Sequence, residues 1–66
     1  MQKLYFCIDK DGTELITNEI PVKNESTGKW HYRLGTQYLV IPKGSIEKLL
    51  GIKLDSKTLF YVNVEY

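Results

Sequence analysis

The sequence predicts an α+β fold: a small twisted antiparallel sheet with one short helix packed across it, the elements running in the order ββββαβ. Three observations predict it. Only residues 41–52 carry a helix start, an apolar helical face and a helix stop in succession. The remainder breaks into short aromatic and β-branched runs parted by Gly, Asp and Asn clusters, the pattern of strands and turns. A chain of 66 residues also allows only one domain, residues 1–66. At that size about 60% of the unfolded surface is buried, and two layers are the most such a core is expected to build.

Residues 4–8 read as a strand with Leu4, Phe6 and Ile8 inward and Tyr5 and Cys7 partly covered, placed at the centre of the sheet. Asp9, Lys10, Asp11 and Gly12 reverse the chain, because Asp bonds its own backbone and Gly accepts a positive φ. A second strand over residues 13–18 alternates weakly, Leu15 and Ile16 falling on opposite faces. Pro21 removes a ladder donor just beyond, so this strand is expected to fray toward an edge. Residues 23–28 carry no apolar side chain and are rich in turn formers, which predicts an exposed loop.

Residues 29–34 alternate cleanly, with Trp30, Tyr32 and Leu34 on one face and Lys29, His31 and Arg33 on the other. Gly35 and Thr36 suit a two-residue type II′ turn, which predicts that residues 37–41 pair back on that strand. Pro42 then holds Ile41 extended, Ser45 is the candidate N-cap of a helix from Ile46, and Ile46, Leu49 and Leu50 form its apolar stripe. Gly51 sits at the C-terminal stop, with Ile52 positioned to fold back on the helix. So short a helix has to dock on the sheet. Asp55, Ser56 and Lys57 turn the chain into a last strand over residues 58–65, with Phe60, Val62 and Val64 on one face and Tyr61, Asn63 and Glu65 on the other.

Hydrophobic residues at 42% and charged residues at 26% are ordinary for a globular chain. The net charge of +1 supplies no global field for nucleic acid or an anionic membrane, so any binding patch has to be local. The single cysteine, Cys7, excludes an internal disulfide and a multi-thiolate metal site. Residues 4–8, an apolar run near the start, are too short for a membrane span or a signal-peptide core. The expectation is a cytoplasmic chain.

The layout Ile8-Asp9-Lys10-Asp11-Gly12-Thr13-Glu14, a Trp near the middle, and Ile41-Pro42-Lys43-Gly44-Ser45-Ile46-Glu47-Lys48-Leu49-Leu50-Gly51 resembles a group of very short proteins encoded by phages and prophages of Gram-positive bacteria. The resemblance covers about half the chain and rests on turn and cap residues, which specify a fold better than an activity. It implies a phage accessory protein acting in the host cytoplasm, a class that includes inhibitors of bacterial defence proteins and proteins that sequester defence signalling nucleotides.

Chemistry-bearing residues are sparse. Asp9, Asp11 and Glu14 lack the third oxygen ligand before the Gly and the twelfth-position Glu of a calcium-binding EF-hand, and read as turn residues. His31 has no second His or Cys to build a zinc site, and Cys7 lies in an apolar strand with no basic neighbour in sequence. Neither a nucleophile elbow nor a phosphate-binding Gly loop occurs. The recognition stretch is Lys29, Trp30, His31, Tyr32 and Arg33: cations for phosphate and aromatics for stacking, provided a groove or a second subunit brings both to one side. On a lone strand they point apart, and Trp30 and Tyr32 then belong to the core. Five tyrosines are more than one thin core absorbs, which predicts a homo-oligomer.

The sequence therefore predicts a non-enzymatic binding protein without catalytic residues, cofactor or metal. Its role would be counter-defence, sequestering a phosphorylated nucleotide or blocking a host protein. A nucleic-acid-binding module and a small structural or assembly subunit are the alternatives.

Overall fold

A computed structural model describes residues 2–64. Its elements are β1 (Gln2–Ile8), β2 (Glu14–Thr17), β3 (Val22–Asn24), β4 (Lys29–His31), β5 (Tyr38–Ile41), α1 (Ser45–Leu50) and β6 (Phe60–Val64). The α+β class and antiparallel pairing agree with the sequence reading. The order does not: five strands precede the helix, because Val22–Asn24, which runs into the expected loop, forms a strand.

Four strands make one sheet in the order β5-β2-β1-β6, and β3 pairs with β4 in a separate two-stranded ribbon. β1 is interior, as its apolar run suggests. β2 is interior as well, flanked by β1 and β5, which corrects the edge position expected from its weak alternation and from Pro21. Pro21 lies outside the strand, so no ladder bond of β2 is lost. The hairpin expected across Gly35 and Thr36 does not form. A turn closes one residue earlier, over residues 33–36 with Leu34 and Gly35 at its centre, Thr36 N–H donating to the Arg33 carbonyl at 3.0 Å, but β5 pairs with β2 while β4 pairs with β3.

The register places Phe6, Ile16, Leu39 and Phe60 on one face of the sheet and Cys7, Leu15 and Val40 on the other. The ribbon covers the second face. Trp30 packs with Cys7 and Leu15, with Tyr32 and Leu59 against them, and all three central residues are buried. Cys7 is wholly buried, not partly covered, because the ribbon adds a tier that a two-layer reading omits. Leu34 was expected on the Trp30 face, but β4 ends at His31 and Leu34 is fully exposed.

The helix lies on the first face, where Ile46 is buried near Ile8 and Glu14. Ser45 does not cap it. Gly44 occupies the cap position, and the free amides of Gly44 and Ile46 donate to the Glu14 carboxylate at 2.5 and 2.8 Å. Gly51 ends the helix in the left-handed region (φ 70°), its N–H donating to the Glu47 carbonyl at 2.8 Å, as its position predicts. The expected apolar stripe is only partly used: Ile46 is buried, while Leu49 is 66% exposed and Ile52 stays open at 36%. In β6, Phe60, Val62 and Val64 are half-buried and Tyr61 and Asn63 exposed, matching the alternation; Glu65 and Tyr66 lie outside the described residues. No helix among the described residues is long and apolar enough to cross a membrane.

Candidate recognition surface

Pairing within the ribbon sorts the recognition stretch by side. Val22 faces His31, Lys23 faces Trp30 and Asn24 faces Lys29, so alternation sends Lys23 and Trp30 to one side and the other four residues to the opposite side. The inward pair is structural. Trp30 donates its backbone N–H to Asp9 Oδ1 at 2.8 Å and its indole N–H to the Ile8 carbonyl at 3.0 Å, so both polar groups of this buried residue are satisfied. Lys23 places its ammonium 5.1 Å from the indole ring centroid, donating to the carbonyls of Gly28 at 2.9 Å and of Ser56. A cation over an indole with two carbonyl acceptors is well compensated for partial burial. Sequence reasoning missed Lys23, for a lysine in a polar run gives no local sign of facing inward.

The outward set is a small mixed surface of Val22, Asn24, Lys29 and His31. Asn24 Oδ1 accepts the N–H groups of Ser26 at 2.9 Å and Thr27 at 3.3 Å, which shapes the turn and fixes the orientation of the carboxamide. Its Nδ2 therefore faces His31 Nε2, 3.1 Å away. Val22 is well exposed beside them, and Lys29 carries the positive charge. The patch combines an imidazole, a cation and an apolar side chain on a short ribbon.

Tyr32 and Arg33 go elsewhere. Tyr32 is half-buried, its ring 4.8 Å from that of Tyr38 and tilted by 34°. Burial first, and then its hydrogen bond with Tyr38, raises its hydroxyl above the usual tyrosine range. Arg33 is exposed and bridges Glu19 at 2.6 Å, while the second oxygen of Glu19 accepts the Thr36 hydroxyl at 3.0 Å. Arg33 borders a shallow depression with Tyr5, Asn18 and Ile20, where Glu19 cancels its charge. The five residues singled out in sequence thus divide into an outward pair (Lys29, His31), a core residue (Trp30), a half-buried aromatic (Tyr32) and a bridged cation (Arg33).

The acidic residues in and beside the first loop serve the fold. Asp9 holds Trp30, Glu14 caps α1, and Asp11 Oδ1 accepts the Thr13 N–H at 2.9 Å, the hydrogen bonds from Thr13 keeping its carboxyl below the ordinary aspartate range. Asp55 is lowered likewise, chiefly by the Thr58 hydroxyl and then by the Lys57 N–H. No group of three or more His, Cys, Asp or Glu positioned for a metal ion occurs among the described residues. Compared with known proteins, the chain matches no family model, no curated protein and no solved structure.

Proposed function

We propose that this chain is a non-enzymatic binding protein, an accessory protein of the phage kind its motifs resemble, that blocks a host protein by contact through the outer face of the β3–β4 ribbon. The observation that carries this reading is the division of the ribbon: Trp30 is committed to the core, and what remains outside is a short, mixed patch of Val22, Asn24, Lys29 and His31. Such a patch suits a protein surface, where an apolar contact and a few directed polar groups act together. Sequestration of a phosphorylated nucleotide is the second reading, favoured by Lys29 and His31 on the same face, but it lacks the stacking aromatic that Trp30 would have supplied.

Native mass spectrometry of the chain recovered from a bacterial host separates these readings. The expected result is a stoichiometric host polypeptide that is lost, at unchanged melting temperature, in a Lys29→Glu, His31→Ala double variant. A copurified nucleotide that raises the melting temperature by mass action assigns the chain to nucleotide sequestration instead. Retention of single-stranded nucleic acid that weakens steeply with salt assigns it to nucleic-acid binding.

A further inference from the structure

β5 is an edge of the four-stranded sheet, and its exposure is unusual for an apolar strand. Tyr38, Leu39 and Val40 are 54%, 59% and 56% exposed, and no charged residue lies between Gln37 and Ile41 to discourage pairing. Its hydrogen-bonding direction follows from two bonds. Asn18 N–H donates to the Gln37 carbonyl at 3.1 Å, and Asp9 N–H donates to the Thr13 carbonyl at 2.8 Å. These fix the alternation through the sheet: odd-numbered residues of β2 bond to β1, even-numbered ones bond to β5, and Leu39 and Ile41 face β2. The N–H and C=O groups of Tyr38 and Val40 therefore point to the free edge.

We propose that β5 pairs antiparallel with β5 of a second copy, about a two-fold axis at Leu39, so that one sheet runs through both copies. An axis perpendicular to the sheet requires a residue to face itself, since only then do opposing side chains share a face. Centring on Leu39 sets Tyr38 opposite Val40 of the other copy. Tyr38 N–H then donates to the Val40 carbonyl and Val40 N–H to the Tyr38 carbonyl, and symmetry repeats both bonds, satisfying every outward group of those two residues. Centring on Val40 instead sets Tyr38 opposite Pro42, which has no N–H to return.

In the favoured register Leu39 meets Leu39 with Cα atoms about 4.5 Å apart, extending the apolar face of Leu4, Ile16 and Leu39 across the junction. β6, the other edge, offers less, its apolar residues being already half-buried. So short a strand pair lies below about 1,200 Å² of buried surface, the range of dissociable contacts. The dimer is concentration-dependent. This inference stands apart from the target proposed for the ribbon, since β5 and the ribbon's outer face share no residue.

Sedimentation equilibrium of the full chain over a concentration series, with Leu39→Lys and Leu39→Glu variants alone and mixed in equal amounts, tests the register. Wild type is expected to pass from monomer to dimer, and each variant alone to associate at least about tenfold more weakly, since like charges face each other. The mixture is expected to regain a dimer with one copy of each, because residue 39 meets itself. Val40→Pro, which removes a donor on the free edge and none toward β2, is expected to weaken the dimer with little change in melting of the dilute protein. A wild type that stays monomeric to millimolar concentration, a dimer indifferent to these variants, growth past the dimer through β5 on β6, or a foreign chain bound along β5 in place of self-association each overturns the proposal.

Discussion

Glu14 shows how one residue joins two elements. It belongs to β2, pairs with Ile8 and Ile41 in the ladder, and holds the first amides of α1 from across the fold. Because the carboxylate is buried, its loss leaves those amides without acceptors in a low-dielectric site. Glu14→Ala is expected to cost about 2–3 kcal/mol in urea denaturation, with Glu14→Gln intermediate because its amide nitrogen cannot accept. A variant as stable as wild type would show that Ser45 or water takes over the cap. Ser45 was the natural reading in sequence because capping rules are local, whereas the acceptor lies 30 positions away from Gly44. Trp30 was legible for the opposite reason: alternation along its own strand already turned it toward the core.

At the scale of elements, strands were easier to read than their partners. The turn forms one residue earlier than expected, centred on Leu34 and Gly35, but a turn sequence does not choose which strand follows which, and the interior position of β2 leaves a place for β5 beside it. The ribbon was missed because residues 23–28 look uniformly polar, while Lys23 is in fact satisfied inside and Gly28 is buried. Gly28 is also in the left-handed region (φ +73°), and a Cβ there would lie 2.7 Å from both Cβ and Cδ of Lys10. Gly51 has a similar φ of +70° but open space around it. Comparing the two substitutions separates backbone strain from packing: Gly51→Ala is expected to cost about 1 kcal/mol and Gly28→Ala about 2–3 kcal/mol, read by thermal melting. Equal losses would mean that Lys10 moves aside freely.

Across the whole molecule, the sheet carries the ribbon on one face and α1 on the other, with Cys7 beneath the ribbon. Burial above all, with the Asp9 carboxylate adding to it and Lys23 opposing, pushes the Cys7 thiol from its ordinary 9.0 up to about 12. The unfolded chain gives up this proton from about pH 9, while the folded chain keeps it until about pH 12. The folded state therefore binds more protons in that window, and the contribution of the neutral thiol is complete below it and lost as pH rises through it. Tyrosines and lysines titrate there too, so the comparison is with Cys7→Ala: the stability advantage of wild type is expected to shrink from pH 9 to pH 12 in denaturation series, and a constant gap would contradict it. The α+β class was legible in the helix and strand signals. The third tier was not, since it comes from the ribbon folding over the sheet, Trp30 onto Cys7 and Leu15, with Lys23 reaching Ser56 between segments that are both polar on their own.

The position of β1 also bears on how the chain is made. It pairs on one side with β2, which follows it closely, and on the other with β6, whose residues are among the last of the described chain. A ribosome releasing the chain in order leaves one edge of β1 open throughout synthesis until residues 60–64 emerge. Closure by such distant pairing is slow, and the open strand is a site where nascent chains can associate wrongly. Only residues 9–59 separate β1 from the strand that seals it, which limits that exposure.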